Sequence, residues 1–191
     1  MEKYNRVKRE LVHKGTIINM YKDYIEVPNG NHVEWDFIGH NGAAAVIPIT
    51  DDGKILLVKQ WRNALDRFTI ELPAGGLENI DEPMIECAAR ELEEETGYKS
   101  DDLEFLLSLR TTVAFCNERI DVFVARNLIK THQHLDEDEN IEIQEYGIDE
   151  LLKMIRKGKM QDSKTVSAIL AYKIFYLSLI HISEPMRPRL I

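Results

Sequence analysis

The feature that most constrains the fold is the stretch from Glu71 to Tyr98, which reads ELPAGGLENIDEPMIECAARELEEETGY. This pattern predicts the end of a strand, a glycine-rich loop, a helix and a glycine stop. Pro83 suits the first turn of the helix, because proline has a fixed φ and lacks the N–H that would be unpaired there. Gly97 suits the helix end, because glycine takes the left-handed conformation without steric cost. The helical spacing predicts one mainly apolar stripe, formed by Ile85, Ala88, Ala89, Leu92 and Thr96.

The same helix carries a group of acids. At about 100° per residue, Glu91, Glu94 and Glu95 fall on one face, beside the apolar stripe. Arg90 precedes Glu94 by one helical turn and is expected to pair with it. Neighbouring carboxylates repel one another unless a cation joins them, and such oxygen ligands suit Mg²⁺ or Mn²⁺, and Mg²⁺ in turn suits phosphates. A solvated acidic face is the alternative interpretation, but the glycine-rich loop ahead of the helix favours a metal site.

These residues resemble the Nudix box, G-x5-E-x7-R-E-U-x-E-E-x-G-U, in which U is a bulky apolar residue. The matching positions are Gly76, Glu82, Arg90, Glu91, Leu92, Glu94, Glu95, Gly97 and Tyr98. The resemblance implies a Mg²⁺-dependent hydrolase that cuts a diphosphate linked to another group. It also implies the α/β (α+β) Nudix fold, a mixed β-sheet sandwiched between helices.

Composition excludes several classes of partner. The chain has 191 residues and a formal net charge of −9, whereas binding to nucleic acids or anionic membranes favours a basic surface. Cys87 and Cys116 are the only cysteines, so we expect no disulfide framework. The start lacks the apolar region of a signal peptide, and no apolar run approaches a membrane span. The expected location is therefore the cytoplasm.

The order of strand and helix patterns predicts two units. Partial alternation over 7–13, 16–27 and 32–39 predicts an N-terminal antiparallel β meander within residues 1–41. A meander this small rarely buries its own core, so it is expected to pack on the main domain or on a partner subunit. The main domain is expected over 42–178, beginning with a central hairpin over 43–61.

Later patterns complete the main domain. A strand over 67–75 is expected to lead into the loop and helix, and a helix over 162–177 to begin at an Asp-Ser cap. Further strands are expected over 103–110, 120–126 and 141–146, with a short helix over 148–158. Residues 179–191 resemble a peptide encoded by accidentally translated sequencing-adapter DNA. We expect them to be non-native and disordered, which the C-terminal mass of protein from the source organism would test.

Features outside the box resemble the ADP-ribose pyrophosphatase and nucleoside-diphosphate-sugar branch of the family. They include the run KILLVKQWRNALDRFTIELPAGGLE (54–78) and a later helix pair with a D-x-K-T sequence. The resemblance implies that Glu91, Glu94, Glu95 and the Ala74 carbonyl bind the metal, while Arg90 orients the glutamates and Glu82 helps to hold the site together. It implies substrate contacts at Trp35, Arg62, Glu71, Gly76 and Glu118. Arg62 would contact the diphosphate, and Glu71 a sugar or nucleotide group.

The acidic loop over 135–142 resembles the loop that supplies the catalytic base in this branch. Glu137 is the best match to that base and Glu139 the alternative. A mobile, solvated acidic loop is the competing interpretation. In the hydrolytic interpretation, bound metal ions neutralise the diphosphate, and a glutamate takes a proton from the attacking water.

Three alternatives remain open at this stage. Val113 stands where ADP-ribose enzymes carry a proline, so another nucleoside diphosphate sugar, GDP-mannose, NADH or a broad substrate range competes with ADP-ribose. A non-hydrolytic sensor of nucleotide sugars is a second alternative. Trp35 is either a packing aromatic or a stacking platform for a nucleobase. The branch implies a homodimer whose meander helps to build the partner's site.

Overall fold

A computed structural model describes residues 1–16, 18–137 and 139–178. The interpretation of residues 179–191 as a non-native end falls outside this described part and stays a prediction.

The N-terminal residues form the antiparallel meander that their alternation predicts. Its strands are β1 (Asn5–Lys14), β2 (Asn19–Glu26) and β3 (His32–Gly39), in the order β1-β2-β3. A tight turn joins β2 to β3. In this turn Gly30 has a φ of 83°, which glycine adopts without penalty, and the Val27 N–H donates to the Asn31 carbonyl at 2.9 Å.

The meander packs on the rest of the chain through the end of β3. The Ile38 N–H donates to the Phe115 carbonyl at 2.7 Å, and the His40 N–H donates to Asn117 Oδ1 at 2.8 Å. Contact with the main domain was one of the two expected arrangements. The division of the chain at residues 41 and 42 remains a prediction.

A mixed four-stranded sheet forms the centre of the main domain. Its order is β7 (Ala74–Gly76), β4 (Ala43–Pro48), β10 (Arg119–Arg126) and β9 (Asp102–Arg110), with β4 parallel to β10. A second sheet contains β12 (Glu142–Tyr146), β5 (Ile55–Arg62) and β6 (Arg67–Glu71). The short strands β8 (Tyr98–Lys99) and β11 (Ile129–Lys130) pair with each other.

The predicted central hairpin over 43–61 is wrong. The turn exists, because the Thr50 N–H donates to the Lys54 carbonyl at 2.9 Å. However, β4 and β5 belong to different sheets, and one isolated bridge between Ile49 and Ile55 connects them. Sequence proximity favours a hairpin, but β4 is buried on both sides and finds its ladder partners in β10 and β7.

Three helices cover the central sheet: α1 (Met84–Thr96), α2 (Ile148–Arg156) and α3 (Ser163–Tyr172), the last followed by a π-helical turn over Lys173–Leu177. Side chains of β4 alternate between two cores. Ala44 and Val46 pack with α1, whereas Ala45 and Ile47 pack in the core that includes residues of α2 and α3. The predicted fold class is therefore confirmed. No helix in the part of the chain described here is long and apolar enough to cross a membrane.

Helix α1 is rotated relative to the expected apolar stripe. Ile85 is 46% exposed, whereas Glu91 and Glu95 are only 8% and 4% exposed. Ala88, Leu92 and Thr96 of the expected stripe are buried, and Cys87 joins them in place of Ile85. The carboxylates of Glu91 and Glu95 therefore point inward, toward the loop that precedes the helix. Periodicity alone placed these two carboxylates beside the buried stripe.

The end of α1 gives a stability prediction. Gly97 has a φ of 66°, and a Cβ there would lie 2.9 Å from the backbone nitrogen of Gln133. We expect Gly97→Ala to lower the free energy of unfolding by about 1–2 kcal/mol, because an L side chain is strained in this conformation. Urea denaturation measures the change.

Gly147→Ala is the matched control. Gly147 has a φ of −72°, and nothing lies within 4 Å of a Cβ built there. We expect this variant to change stability by less than about 0.5 kcal/mol. Equal losses in both variants would contradict the argument from backbone conformation.

Candidate active site

Gly75 and Gly76 lie in strand β7, which follows β6 and lies against helix α1. Strand β7 pairs with β4, opposite Ala43–Ala45. The Ala74 N–H donates to Glu95 Oε2 at 2.9 Å. The Gly76 carbonyl accepts a hydrogen bond from the Arg90 guanidinium at 2.9 Å. The loop and the acidic face of α1 are therefore joined by direct hydrogen bonds.

Arg90 gathers the acids around itself. Its guanidinium donates to Glu82 Oε1 at 3.2 Å, to Glu91 Oε1 at 2.7 Å and to Glu94 Oε2 at 2.9 Å. Burial alone would lower the pKa of Arg90, but its hydrogen bonds and attraction to these carboxylates raise it well above the ordinary value. Arg90 therefore stays charged and fixes the orientation of three glutamates.

Gly75 makes room for the Glu91 carboxylate. A Cβ at Gly75 would overlap the carboxylate atoms of Glu91, whereas at Gly76 the nearest contact would be the Gly42 carbonyl at 3.9 Å. The box pattern includes Gly76 but not Gly75. The available signal was the pair of consecutive glycines, which allows a close approach of another group.

Glu91 and Glu95 have strongly shifted pKa values. Burial is the main cause and raises the pKa of Glu91 to about 7 and that of Glu95 to about 8. Arg90 offsets part of the shift at Glu91, and the Ala74 N–H offsets part of the shift at Glu95. Charge on Glu139 raises both values further. The two carboxyls thus form a buried acidic pair that a cation would stabilise.

The donor set fits a hydrated divalent cation. Within residues 1–16, 18–137 and 139–178, no three or more His, Cys, Asp or Glu side chains converge as a complete metal cage. Mg²⁺ does not need one, since it keeps several waters and binds through one or two carboxylates plus substrate phosphates. Glu91 and Glu95 supply such a pair. The side chain of Glu94 is 37% exposed and forms an ion pair with Arg90.

A cavity of about 590 Å³ brings Arg62, Glu71 and Glu118 together, and its lining does not include Glu91 or Glu95. Arg62 forms a two-point ion pair with Glu71, at 2.8 Å from Nε to Oε1 and 2.6 Å from the terminal nitrogen to Oε2. Hydrogen bonds to Glu71 are the main cause of the raised pKa of Arg62, which also interacts electrostatically with Glu95. The cavity and the acidic pair are therefore electrostatically coupled.

Glu71 is a buried and fully paired carboxylate. Burial would raise its pKa, but Arg62, Lys164 and Thr69 lower it to about 2. Lys164 donates to the same carboxylate and is itself buried. The sequence analysis assigned no role to Lys164. The D-x-K-T sequence was the available signal. Asp162 caps α3 by accepting from the Thr165 N–H at 3.0 Å, and the same carboxylate accepts from Lys164 Nζ at 3.0 Å.

Trp35 lies elsewhere in the monomer. It is 48% exposed on β3 and stands 5.6 Å from Tyr4, centroid to centroid. A separate open hollow of about 650 Å³ contains Trp35 together with Met20 and Phe115. Loop residues link the two hollows, since Thr112 lines the first and Ala114 the second.

The acidic loop places its two candidate bases differently. The charge of Glu139 acts on both Glu91 and Glu95. Glu139 Oε2 also accepts from the Asp136 N–H at 3.2 Å. Glu137 is exposed. The electrostatics favour Glu139 as the group that faces the acidic pair.

Residues 39–168 match the NUDIX domain. The chain belongs to the NUDIX domain family. This Nudix protein is 40% identical over 165 residues to the methanol dehydrogenase activator of Bacillus methanolicus, covering 85% of this chain and 89% of that protein. It is 39% identical over 175 residues to the ADP-ribose pyrophosphatase of Bacillus subtilis (strain 168), covering 91% of each. The resemblance stated from the box is confirmed, and the protein is a Nudix hydrolase.

A solved structure shares the Nudix fold. The crystal structure of an ADP compounds hydrolase superposes with a TM-score of 0.82 at 21% identity, covering 91% of this chain and 94% of that chain. At that identity the likeness supports the fold.

The raised pKa values predict how the stability of the metal-free protein depends on pH. The ordinary pKa of glutamate is 4.5, so between about pH 4.5 and pH 8 the folded Glu91–Glu95 pair keeps protons that the unfolded chain releases. The contribution of this pair to the free energy of unfolding therefore falls as the pH rises through that window. Urea denaturation without divalent cations measures it.

The double variant Glu91→Gln/Glu95→Gln is the reference. Other groups, such as Glu71 with its lowered pKa, titrate in both proteins. The difference in unfolding free energy between wild type and variant isolates the pair and should decline from pH 5 to pH 8. A constant difference would contradict the raised pKa values.

Proposed function

We propose that this Nudix hydrolase cleaves the diphosphate bond of ADP-ribose or a related nucleoside diphosphate sugar, using Mg²⁺ or Mn²⁺. The products would be a nucleoside monophosphate and a sugar phosphate. The observation that carries the proposal is the buried Glu91–Glu95 pair, in which Arg90 holds Glu91 and the Ala74 N–H holds Glu95. Glu95 interacts electrostatically with Arg62, which lines a cavity that contains several cationic side chains. The Bacillus subtilis relative, an ADP-ribose pyrophosphatase, supports the substrate class.

We assign the metal ligands to Glu91 and Glu95, with Glu94 and the Ala74 carbonyl completing the set. When bound, a divalent cation would neutralise charge on the diphosphate and favour attack by water. Arg90 holds Glu91 and Glu94, and the Ala74 N–H holds Glu95, so these carboxylates would need little reorganisation during the reaction. Gly75 allows the loop backbone to approach the Glu91 carboxylate.

Proton transfer is assigned to the acidic loop. Glu139 is the preferred general base and Glu137 the alternative, because the charge of Glu139 reaches both buried glutamates. The base would take a proton from the attacking water. The oxygen of that water bonds to one phosphorus as the bond between this phosphorus and the bridging oxygen breaks. An exposed loop can bring its carboxylate to the water when substrate closes the site.

The cavity is assigned to the substrate. The Arg62 side chain is 41% exposed, so it can contact the diphosphate while Glu71 holds it. Glu71 is 3% exposed and already accepts from Arg62, Lys164 and Thr69. This favours a positioning role for Glu71 over direct contact with the sugar. Glu118 lines the same cavity and is available to a sugar hydroxyl.

A second candidate function is activation of a dehydrogenase, which the Bacillus methanolicus relative favours. A non-hydrolytic sensor of nucleotide sugars is a further alternative. A screen with Mg²⁺ across ADP-ribose, ADP-glucose, GDP-mannose, NADH and diadenosine polyphosphates separates these functions. Turnover of one of them supports the hydrolase, and binding without product supports a regulatory role.

We also propose a homodimer in which the meander contributes Trp35 to the partner's nucleobase pocket. Trp35 is exposed and lies outside the Arg62 cavity of its own chain. Light scattering is expected to give twice the monomer mass. Trp35→Ala should raise KM for ADP-ribose by about tenfold, since stacking on a base is worth about 1–3 kcal/mol. A fully active monomer would contradict this proposal.

Glu95→Gln tests the metal assignment. The amide keeps the shape of the side chain but cannot provide the negative charge that binds a cation. We expect kcat to fall by at least about 100-fold, since metal ions contribute several kcal/mol to such transition states. The variant should stay folded, because Gln can still accept from the Ala74 N–H, and circular dichroism checks this. Normal turnover would remove Glu95 from the mechanism.

A further inference from the structure

The C-terminal carbonyls of helix α1 have partners from a distant segment. The last carbonyls of a helix lack intrahelical partners and need donors from elsewhere. Here the segment Thr131–His134, which we name the strap, supplies them. The Gln133 side-chain amide donates to the Glu95 carbonyl at 2.6 Å, the His134 N–H to the Glu94 carbonyl at 3.0 Å, and the Thr131 N–H to the Gly97 carbonyl at 2.7 Å.

The strap also accounts for the absence of a side chain at Gly97. A Cβ there would lie 2.9 Å from the backbone nitrogen of Gln133 and 3.1 Å from the carbonyl carbon of His132. Gly97, the second glycine of the Nudix box, therefore serves two purposes in this chain. It ends α1 with a positive φ, and it lets the backbone of the strap lie directly on the helix end.

The position of the strap in the chain connects two parts of the active site. Glu94 and Glu95, whose carbonyls it holds, carry side chains on the acidic face of α1. The strap leads immediately into the acidic loop that carries Glu139, whose charge acts on Glu91 and Glu95. A shift of the strap would therefore move the acidic loop relative to the carboxylate pair.

We propose that Gln133 is a positioning residue for hydrolysis. Its amide is the side-chain group by which the strap holds the Glu95 main chain, and it fixes the last turn of α1 and the start of the acidic loop in one arrangement. The proposal rests on the proposed hydrolase function. It assigns Gln133 no contact with substrate or metal.

Gln133→Met tests the proposal without adding charge beside the glutamates. Methionine has a similar length but no N–H donor. We expect kcat to fall by about tenfold while KM changes less than twofold, because small displacements of catalytic groups reduce the rate of the chemical step. Gln133→Lys should restore most of the lost kcat, since its ammonium can again donate to the Glu95 carbonyl. The matched control is Gln144→Met on β12, where the native amide donates to Glu142 at 2.8 Å.

A merely stabilising cap gives a different result. In that case Gln133→Met would lower the melting temperature and leave kcat unchanged at temperatures where the protein is folded. A kcat within twofold of the Gln144→Met value would overturn the proposal. So would a loss of kcat that Gln133→Lys does not reduce, because the donor would then not be the cause.

Hydrogen exchange gives a readout that does not depend on turnover. In Gln133→Met the His134 amide should exchange faster than in wild type, because its bond to the Glu94 carbonyl loosens, while amides in β10 keep their protection. Unchanged exchange at His134 would overturn the proposal. A wild-type protein that hydrolyses no nucleotide sugar would instead refute the proposed function, and the exchange measurement would still decide whether Gln133 holds the strap.

Discussion

The site depends on the guanidinium of Arg90. It donates to Glu82, Glu91 and Glu94 and also to the Gly76 carbonyl, so one cation ties the acidic face of α1 to the glycine-rich loop. Bringing several carboxylates out of water is costly unless each is paired and hydrogen-bonded. Arg90 offsets that cost on one side of the cluster. Glu95 accepts only a backbone N–H from Ala74 in the described residues, and burial with so few partners raises its pKa.

Two buried glutamates with opposite environments divide the work of the site. Glu71 is surrounded by donors, its pKa is lowered to about 2, and it remains an anion that holds Arg62 and Lys164 in place. The pKa of Glu95 is raised to about 8, mainly by burial. The same type of side chain is therefore a paired anion at the end of β6 and a carboxyl with a raised pKa on α1. In the proposed mechanism, the first would hold the cationic side chains of the cavity in place and the second would bind the metal.

Much of this was predictable from the residues alone. Spacing and turn chemistry determined the loop, the start and end of α1, the meander and the pairing of Arg90 with Glu94, because these depend on backbone preferences and on neighbours within one or two helical turns. The resemblance to the Nudix box rests on the same local pattern. Residues close in sequence keep nearly the same geometry in any fold that contains the helix.

Only the tertiary structure decided the contacts between distant segments. It separated β4 from β5, turned Glu91 and Glu95 into the protein, and placed Lys164 on Glu71 and Gln133 on the Glu95 carbonyl. Each of these depends on which buried surfaces meet. Burial raises the pKa values of Glu91 and Glu95, whereas the partners that packing brings to Glu71 lower its pKa despite burial. Sequence periodicity shows which faces a segment could bury, but the neighbours that cover them come from packing of the whole chain.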